Sequence, residues 1–122
     1  MGASVLIVDD HSGFRTQARR LLESEGYRVV GEASGVASAI EAARELQPEL
    51  VLVDVYLEDG DGFEVASRVT TLGRVPAVVL TSSHDRAEFA DRLADSPARG
   101  FVPKTELSRG AIERLWNEDR AS

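Results

Sequence analysis

Five polar residues, each placed at the end of a short apolar run, form the most reactive set in this sequence. Asp9 and Asp10 follow one such run, Asp54 and Thr81 each follow another, and Lys104 lies just beyond a fourth. Core packing gives no reason to place three acids, a hydroxyl and a lysine at equivalent positions. Their shared placement indicates a common chemical task.

A magnesium-assisted reaction at phosphorus is the chemistry that suits this set. Three carboxylates held together repel one another, and their pKa values rise unless a cation lies between them. Mg²⁺ prefers hard oxygen ligands and keeps coordination positions for water and phosphate oxygens. We predict Asp10 and Asp54 as direct ligands, with Asp9 bound directly or through water. The backbone carbonyl of Tyr56 completes the predicted set.

The same residues predict a nucleophile and its helpers. Carboxylates form acyl phosphates, so Asp54 is the predicted phosphoryl acceptor. The Thr81 hydroxyl would donate a hydrogen bond to one phosphoryl oxygen, and Lys104 would form an ion pair with another.

The elements that must position these residues alternate between strands and helices. Short apolar runs suit strands buried on both faces, and they lie at 5–8, 29–30, 51–53, 77–80 and 101–102. Helical spacing of apolar residues predicts helices around 14–22, 36–43, 65–72, 86–94 and 107–115. The fourth of these helices is the weakest, since its apolar residues are mostly alanine. Breakers separate the elements, namely Gly26, Pro48, Gly73 and Pro97.

This order predicts an α/β fold, a (βα)5 doubly wound five-stranded parallel sheet. Such sheets place their functional crevice outside the carboxyl ends of the strands, where the polar residues stand.

Composition limits the class of protein further. The 122 residues suit a single domain over 1–122, and a hydrophobic fraction of 43% supports a buried core. The chain has no cysteine, which excludes disulfides and thiolate metal sites. No apolar run approaches the roughly 20 residues of a membrane span, and no secretory signal is recognisable. We therefore expect a cytoplasmic protein without a membrane partner, and the net charge of −7 argues against unaided nucleic-acid binding.

Four sequence blocks in order resemble the signature of response-regulator receiver domains. They are Val-Leu-Ile-Val-Asp-Asp at 5–10, Leu-Val-Leu-Val-Asp at 50–54, Leu-Thr-Ser at 80–82 and Gly-Phe-Val-Pro-Lys at 100–104. One block alone is a weak signal, but four at these spacings cover nearly the whole chain. Together with Asp-Asp-His at 9–11, these blocks most resemble those of LuxR/NarL-type receivers, which are joined to helix-turn-helix output domains.

The resemblance implies a fold, a reaction and roles for single residues. The fold is flavodoxin-like with strand order 2-1-3-4-5, and a sensor histidine kinase supplies the phosphoryl group to Asp54 with Mg²⁺ as cofactor. Such a domain catalyses only its own phosphorylation and dephosphorylation and is not otherwise an enzyme. Thr81 and Lys104 sense the phosphoryl group, Phe101 changes rotamer on activation, and two residues tune hydrolysis of the acyl phosphate, namely Tyr56 and Ser83.

The implied output surface consists of the fourth helix, the fifth strand and the fifth helix. It would control a partner protein or a fused DNA-binding domain, and DNA would be reached only through such a domain. Its mixed charges suit a symmetric homodimer and equally an ordinary solvated surface; they include Glu88, Asp91, Arg92, Arg109 and Glu113. Trp116 fits either the edge of the core or an interface.

Several features leave alternatives open. Glu58 stands where the family often has proline, which leaves the loop shape open although Gly60 and Gly62 permit tight turns. His11 is favoured as a loop residue over a metal or phosphorelay residue, and His84 as a surface residue.

Two other classes of function compete with the phosphoacceptor. The first is a phosphorylation-independent protein-binding module or a flavin binder, against which the intact polar set argues. The second is a magnesium-dependent phosphohydrolase that uses an aspartyl phosphate. That class is expected to carry Asp-x-Asp directly after the first strand, where this sequence has the adjacent pair Asp9-Asp10 instead.

Overall fold

A five-stranded parallel sheet forms the centre of the molecule. The computed structural model describes residues 2–107 and 110–115. The strands are β1 (Ser4–Val8), β2 (Arg28–Ala33), β3 (Leu50–Asp54), β4 (Ala77–Ser82) and β5 (Gly100–Pro103). They lie in the order β2-β1-β3-β4-β5, all parallel, which confirms the predicted doubly wound sheet.

Helices connect the strands. They are α1 (Ser12–Ser24), α2 (Val36–Leu46), α3 (Gly62–Arg68), α4 (Ala90–Asp95) and α5, described over 111–115. Within the described part of the chain, no helix is long and apolar enough to cross a membrane. Arg109 and Trp116 lie outside the described residues.

Three helices differ from their predicted extents. The third becomes a 3-10 helix over Val69–Thr71, where two threonine hydroxyls bond carbonyls three residues earlier and so compete with α-helical geometry. The fourth begins with a 3-10 turn over Arg86–Phe89. Leu107 lies ahead of α5 rather than inside it.

Alternating side chains of the strands build two cores, one on each face of the sheet. Leu6, Val51 and Phe101 pack on the face that carries α2, α3 and the Phe89 side chain ahead of α4. Val5, Leu52 and Val102 pack on the opposite face with residues of α1 and α5. A strand buried on both faces explains the continuous apolar runs of the sequence.

The strand register brings the polar residues to one edge. Val8 pairs with Val53, so Asp9 and Asp54 end adjacent strands. Asp54 in turn pairs with Thr81 on β4, and Thr81 pairs with Val102 on β5. The predicted site residues therefore meet because the sheet is parallel and in register.

Hydrogen bonds to helix ends hold the loop between β3 and α3. Asp59 accepts from the amides of Val36 at 2.6 Å and Ala37 at 3.2 Å, and so caps α2 from a distant loop. These bonds, with the Val36 amide foremost, hold the pKa of Asp59 below its usual value. Asp59 thus fixes the loop in which Glu58 stands where receiver domains often have proline. At the tip of this loop, Tyr56–Leu57 pairs with Gly60–Asp61 in an antiparallel arrangement.

Gly62 is a close-packing point directly beside the end of β3. A β-carbon there would lie 2.6 Å from the backbone oxygen of Asp54 and 2.8 Å from Leu80 Cδ2. We expect Gly62→Ala to lower the free energy of unfolding by about 1–3 kcal/mol, since backbone must move to admit the methyl group. Urea denaturation measures the change.

Gly13→Ala is the matched control, because a β-carbon at Gly13 in α1 meets nothing within 4 Å. Its unfolding free energy is expected to stay equal or to rise by up to about 1 kcal/mol. Equal stability of the two variants would contradict the close approach at Gly62.

Candidate functional site

Three acidic side chains meet at the carboxyl edge of the sheet. Asp9 is fully buried, Asp54 is 7% exposed and Asp10 is 24% exposed at the side chain. One oxygen of each carboxylate and one nitrogen of His11 all lie within 4.8 Å of one another. The predicted acidic cluster is therefore present, with His11 as a fourth member.

Lys104 supplies a positive charge inside this pocket. Its Nζ lies 2.7 Å from Asp9 Oδ2 and 3.4 Å from Asp54 Oδ2, and its side chain is 17% exposed. The same nitrogen lies 4.1 Å from the centre of the Phe14 ring, a favourable cation–π contact. Lys104 thus pairs more closely with Asp9 than with Asp54.

Burial and charge together shift the acidity of Asp54. Burial raises the pKa of its carboxyl most strongly, and the neighbouring Asp9 carboxylate raises it further. Lys104 and a hydrogen bond from the Tyr56 backbone N–H offset part of the rise in pKa. The carboxylate of Asp54 is therefore less stable than that of an ordinary surface aspartate.

The pocket suits a hard divalent cation. Asp9 Oδ2 and Asp10 Oδ1 are buried and accept no hydrogen bond; Lys104 Nζ lies 2.7 Å from the first oxygen and His11 Nδ1 lies 3.0 Å from the second. Buried carboxylate oxygens without donors are favourable ligands for Mg²⁺. Asp9, Asp10 and Asp54 fit such an ion, and the Tyr56 carbonyl remains a predicted ligand.

Thr81 is buried in the sheet, and its hydroxyl already has an acceptor. Thr81 Oγ1 donates to the backbone oxygen of Val102 at 2.6 Å. Phe101, the residue before Val102, is buried, and its ring centre lies 5.8 Å from that of Phe89. The hydroxyl therefore links the end of β4 to the backbone beside Phe101.

Tyr56 lies over the loop after β4. Its side chain is half-exposed, and its ring makes edge contacts with His84 at 5.0 Å and Phe89 at 5.8 Å. The phenol oxygen lies 3.5 Å from a carboxylate oxygen of Glu88. Ser83 and His84 are exposed in the same loop, which confirms His84 as a surface residue.

Two supporting contacts involve arginines that the sequence did not connect with the site. Arg15 donates to the backbone oxygen of Asp9 at 2.6 Å while its Nε pairs with Glu32 at 2.9 Å. Arg92 on α4 pairs with Asp61 at 2.7 Å and lies 4.2 Å above the Phe63 ring. Both arginines reach across the fold, so no local motif in the sequence marks them.

Taken together, the parallel sheet and the acidic pocket at its carboxyl edge define an α/β domain built around buried carboxylates. The family model described as the response regulator receiver domain matches residues 5–115, and the chain belongs to this family.

Curated relatives and solved structures agree with that membership. BvgA, a transcription regulator of virulence factors in Bordetella pertussis, is 39% identical over 102 residues, which are 84% of this chain and 49% of that protein. The transcriptional regulatory protein PdtaR of Mycobacterium tuberculosis is 35% identical over 100 residues, 82% of this chain and 48% of that protein. The signal receiver domain of NarL from M. tuberculosis superposes with a TM-score of 0.81 at 30% identity, covering 94% of this chain and 97% of that one. The chain spans about half the length of the curated relatives it matches.

The raised pKa of Asp54 predicts how stability depends on pH in metal-free protein. The folded state binds a proton on Asp54 more tightly than the unfolded chain, where the pKa is near 3.8. Stability therefore falls as the pH rises from that value through the raised pKa, and the loss persists at neutral pH. Asp54→Asn lacks this charge, and we expect its melting temperature at neutral pH to exceed the native one by roughly a few degrees.

Differential scanning calorimetry over a pH series tests this expectation. The advantage of the variant should shrink on acidification, because native Asp54 then becomes neutral. Added Mg²⁺ should stabilise the native protein more than the variant. If Asp54→Asn melts below the native protein at neutral pH without metal, the buried Asp54 carboxylate does not destabilise the fold as expected.

Proposed function

We propose that this domain is the phosphoacceptor of a two-component signalling system, with Asp54 as the acceptor. The observation that carries the proposal is the position of Asp54. Its carboxyl is buried at the end of β3, shares Lys104 with Asp9 and has a raised pKa. A nucleophile with reduced stability as an anion, set beside a cationic side chain, suits attack on phosphorus.

The proposed reaction is transfer from a phosphohistidine of a sensor histidine kinase. An Asp54 carboxylate oxygen attacks phosphorus, the bond from phosphorus to the histidine nitrogen breaks, and an acyl phosphate forms. When bound by Asp9, Asp10 and Asp54, Mg²⁺ supplies positive charge that neutralises the phosphoryl oxygens. Lys104 Nζ, already 3.4 Å from Asp54 Oδ2, is placed to pair with a phosphoryl oxygen.

Thr81 and Phe101 form the proposed switch. A phosphoryl group on Asp54 offers the Thr81 hydroxyl a charged acceptor in place of the Val102 carbonyl. That exchange releases the backbone beside Phe101, whose ring packs on Phe89 ahead of α4. α4 has no buried side chain of its own, so modest forces can move it.

The surface of α4, β5 and α5 is accordingly the proposed output surface. We propose that residues 1–122 form one receiver of a LuxR/NarL-type regulator, that it acts in the cytoplasm, and that DNA is contacted only through a fused output domain. The relatives of about twice this length are described as transcription regulators, which supports the proposal. Phosphorylation-dependent homodimerisation through the same surface is a further part of it.

Incubation with acetyl phosphate, followed by intact mass spectrometry, tests the acceptor chemistry. We expect a mass gain of one phosphoryl group that requires Mg²⁺, is absent from Asp54→Asn and is strongly reduced in Asp10→Asn. Asp85→Asn, which removes an acid from the exposed loop before α4, is the matched control and should be modified like the native protein. If the native protein gains no mass with acetyl phosphate or a panel of histidine kinases, the domain is a phosphorylation-independent binding module.

Tyr56 is the proposed shield of the acyl phosphate. Tyr56 follows Asp54 by two residues, and edge contacts to His84 and Phe89 hold its half-exposed ring. We expect Tyr56→Asn to shorten the half-life of the phosphorylated domain several-fold, because water gains access to the phosphorus. Decay of the phosphorylated mass with time measures it.

Tyr56→Phe separates the ring from the hydroxyl in this experiment. The ring contacts survive in that variant, while the 3.5 Å contact to Glu88 is lost. We expect a half-life close to the native one. A half-life in Tyr56→Asn equal to or longer than the native value would refute shielding by the ring.

A further inference from the structure

His11 is the member of the acidic cluster to which the reaction assigns no task. Its Nδ1 lies 3.0 Å from Asp10 Oδ1 and 3.2 Å from Asp9 Oδ1, and its side chain is 73% exposed. His11 occupies the N-cap position of α1, but its side chain makes no capping hydrogen bond. Polar residues at this position usually cap the helix through their side chains, and His11 does not.

The backbone around His11 is fixed by several contacts. The His11 amide donates to Asp9 Oδ1 at 2.8 Å, and Arg15 holds the Asp9 carbonyl at 2.6 Å. Asp10 Oδ1, the oxygen closest to the imidazole, is buried and accepts no hydrogen bond. The ring nitrogen and two carboxylate oxygens thus converge on a pocket that contains an oxygen without a donor.

The spacing of these atoms suits coordination of one metal ion. Ligands at about 2.1 Å from an octahedral ion are about 3.0 Å apart when they are neighbours in the shell. The observed separations of 3.0 and 3.2 Å match that distance. The Asp54 oxygen and the other three ligand atoms all lie within 4.8 Å of one another, as a common shell requires.

We propose that His11 is a nitrogen ligand of this metal site and makes the pocket favour transition-metal ions such as Co²⁺ over Mg²⁺. The inference rests on the proposed metal-binding role of Asp9, Asp10 and Asp54. Carboxylates suit Mg²⁺, whereas imidazole suits the later divalent ions of the first transition row. Removing the imidazole should therefore lower the affinity for ions such as Co²⁺ and leave the affinity for Mg²⁺ nearly unchanged.

Isothermal titration calorimetry with Co²⁺ and with Mg²⁺, in one buffer at fixed pH, measures this selectivity. The titrations use protein without an affinity tag, because His11 and His84 are then the only two histidines in the sample. We expect His11→Ala to weaken Co²⁺ binding by about tenfold or more and Mg²⁺ binding by less than about threefold.

His84→Ala is the matched control. His84 also places Nδ1 beside a carboxylate, at 3.2 Å from Glu88 Oε2, and its side chain is 50% exposed, but it lies outside the acidic cluster. Both affinities should be unchanged in this variant. Equal losses of Co²⁺ affinity in the two histidine variants would overturn the assignment to His11.

A spectroscopic signature tests the bond itself. With Cu²⁺, a later ion of the same row, bound in place of Mg²⁺, electron spin-echo modulation should contain a coupled ¹⁴N of imidazole in the native protein and in His84→Ala. The coupling should vanish in His11→Ala. Its absence from the native protein overturns the proposal.

The outcomes separate this inference from the proposed function. Native protein that binds neither ion would remove the metal site and with it both proposals. Native protein that binds Mg²⁺, and loses that binding in Asp10→Asn while His11→Ala changes neither affinity, retains the proposed function and overturns only the role of His11.

Discussion

The repulsion among buried carboxylates at one sheet edge is the constraint on which the rest of this structure depends. Asp9 and Asp54 end neighbouring strands and are almost completely excluded from water, yet they share the single ammonium group of Lys104. Burial raises the pKa of Asp54 most strongly, the Asp9 carboxylate raises it further, and the single cation of Lys104 offsets only part of the rise. The pocket therefore holds negative charge that a divalent metal ion would relieve and that the proposed phosphoryl group would alter.

The surrounding fold is built to keep these groups together despite their repulsion. The register of β1, β3 and β4 sets the positions of the acids and of Thr81, and Gly62 lets α3 approach the backbone of Asp54. Asp59 ties the neighbouring loop to the start of α2. Contacts from distant parts of the chain thus hold the pocket in place. By contrast, α4 is attached through Phe89, the partly buried Leu93 and the Arg92–Asp61 ion pair, so it has fewer buried contacts than α2 or α3 to oppose the proposed charge change at Asp54.

The fold and the acidic residues of the pocket could be predicted from the sequence, but the contacts that orient those side chains could not. Continuous apolar runs ending in Asp9, Asp54 and Thr81 predicted both the parallel sheet and the shared edge, because strand ends of a parallel sheet meet in space. The hydrogen bond from Thr81 to Val102 had no signal in the sequence, since any carbonyl can accept it. The preference of Lys104 for Asp9 depends on side-chain geometry. Asp59 was not recognised as a cap because its partners, at the start of α2, lie more than twenty residues away. For His11 the sequence leaves a metal-binding role as the less favoured alternative to a loop residue, and its distances to two carboxylates support that alternative.

Reduction with borohydride after phosphorylation tests the central claim most directly, since it marks the acylated carboxyl covalently. The acyl phosphate of an aspartate is reduced to homoserine, and peptide sequencing by mass spectrometry locates that residue. The account predicts homoserine at position 54 alone, in amounts that follow the Mg²⁺-dependent mass gain. Homoserine at position 9 or 10, or a phosphorylated protein without homoserine at position 54, would contradict it.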